Sequence, residues 1–565
     1  MAFAAQWAQL SVASASDLFR GRAGGHGQQP FLDVAQLIDA SLFDFAEAKL
    51  ASFDRSLQVT LWNEAYRALQ QAIGIDSFQV AFAQVVFGFT QRPLSREDFL
   101  RIKNNGKATM NDFHSNFYAD SPSPGAMLWS DDEAVPHNNP RRATGPTLDG
   151  PSTAAEAKEL LDLDKDPLHL RDSLMRLSAR RVKLISTKSG RDTGCGTVER
   201  NRSSRYDGDS DFLTDRMTFN QLFWLVMMCD TLSAAINNRL PIVSDEDSVI
   251  ISEAKVKPAN VPEHWEPSVD SGSSDSASAP STSSGPTYTD GEEHPWGMYF
   301  LGRNVAAQSA GPVQWPFSKD TASALLSEAA PVKALLYRKV KQVQNARFRR
   351  SSPARIEQAI LAALKVYEHW NRNYGDFIST CLKHHDELPV QIQSWYSVLV
   401  SHWHLACYLL SDLIEELDKF GESDERHSAI RKSCGLLFHI RKQSAFEMGD
   451  LGRVGRVRED GSFGQTNDFH PTVNDGALLT EPWTEIMIRS FARVSEQSLA
   501  WLGEIDQAAS DHGLGTTSWS PGDFGQIYQS LGYCVEALLD LGRKSDMAFL
   551  LAISFKRRMV LFNRY

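Results

Sequence analysis

At 565 residues the chain exceeds what one hydrophobic core usually organises, which predicts roughly two to four folding units or one long helical array. A hydrophobic fraction of 42% with 23% charged residues is the balance of a globular chain, and the net charge of −12 argues against a broad phosphate-binding surface. The six cysteines lie no closer than 26 residues apart, so neither a disulfide framework nor a zinc site of closely spaced thiolates is expected, and a reducing compartment is.

In chain order, residues 1–29 are rich in Ser, Ala and Gly and read as a poorly ordered N-terminus; their low acid content also has a transit-peptide flavour. A first helical half is expected over 30–256. Phe31, Val34, Leu37, Ile38, Leu42 and Phe45 recur at helical spacing, as do Leu61, Ala65, Leu69 and Ile73, then Phe82, Val85 and Phe89. Further helices are expected near 168–187 and 217–237, with a Pro-, Gly- and Asp-rich loop at 119–153. Residues 257–296 form an acidic, Ser-rich stretch with too little apolar surface to fold, read as a disordered linker. A second helical half follows over 297–565, with helices near 332–349, 353–382, 388–419, 427–445, 482–509, 524–542 and 544–561 and a loop at 447–477. Period-2 runs bounded by hairpin turns are nearly absent, so the expected class is all-α. No uninterrupted apolar run approaches about 18 residues, so no membrane span is expected.

The sharpest local signal is residues 217–250. Eight consecutive apolar residues, Leu222 to Cys229, make a helix buried on nearly all sides, and Asp230 ends that run. A buried carboxylate is costly without a cationic or hydrogen-bonding partner, and Arg239 in the turn after the helix is the candidate. Pro241 stops the helix, and an acidic turn follows at Ser244–Asp247.

Phe223, Trp224, Asp230, Ser233, Arg239, Val243, Asp245 and Asp247 together resemble the signature of the fungal-specific transcription factor domain, the helical middle region of fungal zinc-cluster regulators. Thr231 stands where that signature has Arg, Asn238 replaces a Gly, and Pro241 comes one residue late. The resemblance is specific over about 35 residues. It implies a nuclear transcription regulator acting through its helical domain on a limited metabolic gene set. It also implies other regulators or co-regulators as partners, a small-molecule effector, and DNA reached only indirectly. Such regulators normally begin with a six-cysteine binuclear zinc cluster, which these cysteine gaps exclude from this chain. No cofactor is therefore expected, and zinc enters only if an upstream exon supplies that head.

Lys333, Arg338, Lys339, Lys341, Arg347, Arg349, Arg350 and Arg355 form a tract without acids. It is a candidate nuclear localisation signal or phosphate-binding face, with a solvated helix face as the favoured reading. His402 and His404 point apart on a helix, and only His404 and Cys407 share a face, so a core helix is expected in preference to zinc. No catalytic residues are expected: the chain has no GxSxG elbow, and Gly452-Arg453-Val454-Gly455-Arg456 lacks the Lys-Ser/Thr end of a Walker A loop. Asp131-Asp132-Glu133 lies in a Pro-rich stretch and is a poor match for the metal motif of a helical terpene synthase. The competing reading is a helical scaffold or binding protein outside transcription, with a helical enzyme a distant third.

Overall fold

The computed structural model describes residues 53–75, 77–91, 93–94, 171–180, 206–242, 301, 314–456, 476–481, 483–510 and 523–562. The expected helix at Phe31–Phe45, the loop at 119–153 and the Ser-rich stretch at 257–296 lie outside them. The described part is all-α, 85% helical and without strands. Its twelve helices are α1 (Phe53–Gln71), α2 (Phe78–Gly88), α3 (Tyr206–Ile236), α4 (Lys319–Phe348), α5 (Pro353–Trp370), α6 (Asp376–Lys383), α7 (Val390–Phe420), α8 (Glu425–Ser433), α9 (Leu436–Val454), α10 (Thr484–Ser510), α11 (Asp523–Leu541) and α12 (Asp546–Phe562). Residues 171–180 are a further helical stretch. All these helices, from both sides of the Ser-rich stretch, belong to one compact unit.

Local chemistry sets the helix boundaries. Ser318 caps α4 by accepting from the Thr321 N–H at 3.1 Å, and Asp320 adds a negative charge in its first turn. Pro353 sits at the start of α5, where its missing N–H costs nothing. Gly421 closes α7 with φ +68°, a left-handed conformation that glycine takes without strain. Asp424 caps α8 by accepting from the His427 N–H at 3.0 Å. The single helix expected over 427–445 is two: the chain turns at Gly435, φ +61°, between α8 and α9. The loop expected from 447 begins later, because α9 continues to Val454.

α7 is the central element. It packs on α4, α9 and α10, while α4 is also covered by α3 and α5, and α11 holds α9, α10 and α12 together. Length and composition alone would let α7 cross a membrane, yet 83% of its most apolar window is buried in this core. Trp403 of α7 stacks on Trp370 at 4.1 Å, and the buried Tyr337 and Tyr408 each donate to a backbone carbonyl, of His402 at 2.7 Å and Arg441 at 3.2 Å. Large rings thus fill the core without stranding their hydroxyls.

The glycines that resembled half of a phosphate loop serve packing. Gly452 lies within α9 where α11 approaches so closely that an added Cβ would stand 2.7 Å from the Tyr533 carbonyl oxygen. Backbone cannot yield as a side-chain tip can, so Gly452→Ala is expected to cost about 1–3 kcal/mol by overpacking. Thermal melting checks this, with Gly503→Ala as the control, since nothing lies within 4 Å of its added Cβ. Equal melting temperatures for the two variants would refute the close-approach argument.

Candidate functional site

The signature segment forms the last turns of α3 and the turn that ends it. Phe223 is buried, Trp224 is half-buried, and their rings meet edge-on at 5.7 Å. Asp230, only 1% exposed, lies one turn and a half before the end of the helix. Arg239 Nη2 comes within 2.7 Å of Asp230 Oδ1, and the Ile242 N–H donates to Oδ2 at 2.8 Å. The expected pair therefore forms, and the same carboxylate also holds the chain three residues further on. The Nη2–Oδ1 contact is a charge contact; its angles fall outside hydrogen-bond geometry.

Asn238 has φ +48°, and the Arg239 N–H returns to the Ala234 carbonyl at 3.0 Å, which ends the helix in a left-handed cap. Asparagine here takes the conformation that a glycine would otherwise supply. Ser233 is buried beneath this cap, and its Oγ accepts weakly from Asn237 Nδ2 at 3.4 Å. Thr231 donates to the Met227 carbonyl at 2.9 Å instead of offering a charge. Gln344 of α4 donates to the Ala235 carbonyl at 2.9 Å, and Lys341 reaches Asn238 Oδ1 at 3.4 Å, so the turn is tied to α4. Val243, Asp245 and Asp247 lie outside the described residues.

The basic tract is not one solvated face, which corrects the favoured reading. Lys333, Arg338 and Lys341 are buried, because α3, α5 and α7 cover α4 on several sides. Lys339 bonds to Gln342 at 2.9 Å, and Arg347 pairs with Glu416 and Glu422. Arg349, Arg350 and Arg355 alone among the eight are exposed.

Lys333 belongs to a buried cluster of ionisable groups that the sequence reading did not assemble. Its Nζ lies 3.2 Å from His402 Nδ1, and His402 Nε2 lies 3.7 Å from Glu481 Oε2. Glu481 Oε1 accepts from the Trp483 N–H at 2.7 Å, while Oε2 and His402 Nε2 make no hydrogen bond among the described residues. Lys544 reaches the neighbouring Leu479 carbonyl, and Cys229, next to Asp230, faces the same cluster. Burial pushes the Glu481 carboxyl up to about 7, against the Trp483 N–H and the cations of Lys333 and Lys544. Burial lowers Lys333 to about 8, with Glu481 opposing, and lowers Lys544 to about 8 as well. His402 is held well below its ordinary value, first by burial and then by Lys333, and burial pushes the Cys229 thiol up. A Lys–Glu pair that titrates near neutrality is a recognised mark of a functional site. Here both groups are closed off from solvent, so their protonation bears on how α3, α4, α7 and the 477–480 turn hold together.

The histidine pair of α7 divides as expected. His404 Nδ1 meets Ser444 Oγ at 3.1 Å and Nε2 meets Glu447 at 3.0 Å, a buried relay between α7 and α9. Cys407 is buried, and no group of three or more His, Cys, Asp or Glu side chains converges as a metal site among the described residues.

An open groove of about 690 Å³ runs beside the signature turn. Asn238 and Gln344 line one side, α7 supplies Leu409, Leu413 and Glu416, and Ile356 of α5 contributes to its apolar lining. No family model, no curated protein and no solved structure matches the chain.

Proposed function

We propose that the chain is the helical regulatory region of a nuclear transcription regulator of the kind its 217–250 segment resembles. It acts with other regulators on a limited metabolic gene set and reaches DNA through them. The supporting observation is the closed turn at Asp230, Arg239 and Ile242. The carboxylate, the cation and the apolar residue after the proline make one interlocked unit, so the spacing that carries the resemblance has a physical reason to be kept. The all-α architecture accords with the same reading.

The test is deletion of the gene with transcript profiling, alongside imaging of a C-terminal fluorescent fusion. Nuclear accumulation with altered transcripts of a restricted gene set is expected. A fusion confined to the cytosol, with unchanged transcripts in the deletion strain, would replace this reading with a scaffold outside transcription.

A further inference from the structure

The fold accounts for only part of the basic tract. Lys333, Arg338 and Lys341 are inside, and Lys339 and Arg347 have side-chain partners. Arg349, Arg350 and Arg355 are exposed and form no ion pair among the described residues. Ser352 lies between them, in the run Arg349-Arg350-Ser351-Ser352-Pro353-Ala354-Arg355 that joins α4 to α5. It is exposed and stands at the cap position of α5, yet its side chain makes no capping hydrogen bond. Ser318 and Asp424, at the same position of α4 and α8, each make one. The Ser352 hydroxyl is therefore a surface nucleophile without a structural task, with arginines two and three residues before it.

A protein kinase whose substrate cleft carries carboxylates selects this arrangement, because it reads charge in the residues just before the acceptor and pairs with arginines there. The residues it reads must be drawn out of the turn. Two backbone bonds hold that turn: the Arg350 N–H donates to the Arg347 carbonyl and the Ser351 N–H to the Ala346 carbonyl, both at 2.9 Å. Arg350 sits at φ +50°, a left-handed conformation that strains an arginine, so opening the turn releases strain as it breaks those bonds. No fully buried residue lies between Arg349 and Arg355, so the core need not move.

We propose that Ser352 is a phosphorylation site for a protein kinase directed to basic sequences, and that the phosphate supplies the cap of α5 that the hydroxyl does not. Ser352 Oγ attacks the γ-phosphorus of a nucleoside triphosphate. The O–P bond forms as the bond to the β–γ bridging oxygen breaks, the nucleoside diphosphate leaves, and the hydroxyl proton passes to the kinase's base. The product carries a charge of about −1.5 to −2. It faces the positive end of an 18-residue helix, with Arg349, Arg350 and Arg355 within three residues to pair with it. The site does not depend on a role in transcription.

The test incubates the folded full-length chain with Mg-ATP and the catalytic subunit of cyclic-AMP-dependent protein kinase, which prefers arginines at these positions. Peptide mapping by mass spectrometry reads phosphate at position 352, and stoichiometric modification there is expected. Arg350→Gly removes one recognised cation and relieves the backbone. It should melt no lower than the parent, yet gain phosphate on Ser352 at least about tenfold more slowly. Ser352→Ala should melt as the parent does, because the hydroxyl caps nothing. The phosphorylated chain should melt higher than the unmodified one. That gain should shrink as salt rises, and as pH falls through about 6, where the phosphate loses its second charge.

No phosphate at position 352 of the folded chain, phosphate there only after denaturation, or an unchanged rate in Arg350→Gly would overturn the site. A phosphorylated chain that melts at or below the unmodified one would overturn the capping role.

Discussion

Arg239→Ala is expected to destabilise the fold by about 3–5 kcal/mol, more than Asp230→Ala does. The asymmetry follows from burial. Asp230 is 1% exposed, so losing its cation leaves a carboxylate in the core with only the Ile242 N–H to face. Arg239 is 25% exposed, so losing the carboxylate lets the guanidinium turn toward water. Asp230→Ala then loses mainly the acceptor of the Ile242 N–H, a deficit of about 1–3 kcal/mol. Asp230→Asn keeps an acceptor for that N–H and should be the mildest of the three. Denaturant unfolding of the purified chain ranks them. Arg239→Ala at wild-type stability, or milder than Asp230→Asn, would show that the contact between the two side chains holds nothing in place.

That pair was legible in the sequence because it is local. Nine residues separate Asp230 from Arg239, and the helix stop between them brings the two together. Apolar periodicity was equally legible: the stripes at 388–419 and 524–542 coincide closely with α7 (Val390–Phe420) and α11 (Asp523–Leu541). The errors have physical causes. α4 starts at Lys319, well before the expected 332, because Pro331 reads as a stop although it is accommodated inside the helix. Gly435 divides α8 from α9 because it takes a left-handed conformation, and apolar spacing carries no record of φ. The Lys333–His402–Glu481 cluster was out of reach because its members meet across the fold; 69 residues separate the first two alone. Lysine and arginine suggest a surface, and only the placement of α3, α5 and α7 around α4 reveals that Lys333, Arg338 and Lys341 are inside. The groove shares this origin, since its lining comes from α4, α5, α7 and the turn after α3, elements far apart in the chain.

The cluster yields the second large effect, and its sign depends on pH. Glu481 sits at about 7 in the fold against an ordinary 4.5, so the folded state holds that proton more tightly. The stability this supplies is present below about pH 4.5 and lost as pH rises through about 7. Lys333 sits at about 8 against 10.5, so its contribution is present above about 10.5 and lost as pH falls through about 8. Between about 7 and 8 both charges are buried together, and each depends on the other most. Three of the groups facing them change little in that window: burial keeps the Cys229 thiol and the Tyr337 hydroxyl protonated and His402 neutral. Lys544, also lowered to about 8, is the second cation acting on Glu481.

Lys333→Met at about pH 7.5 therefore leaves a buried carboxylate with Lys544 as its remaining cation, at a cost on the order of 3–5 kcal/mol. At about pH 5.5 Glu481 is protonated, and the same substitution replaces a buried ammonium by an apolar chain of similar shape at little or no cost. The double variant Lys333→Met with Glu481→Gln removes both charges and keeps an acceptor for the Trp483 N–H, so it should recover most of the stability lost at the higher pH. Unfolding curves of wild type, the single variant and the double variant at the two pH values decide the matter. A cost for Lys333→Met that is the same at both, or a double variant no better than the single one, would mean that Lys333 and Glu481 ionise independently. The pH-dependent cost with rescue would instead make this pair the point at which protonation governs the packing of α3, α4 and α7.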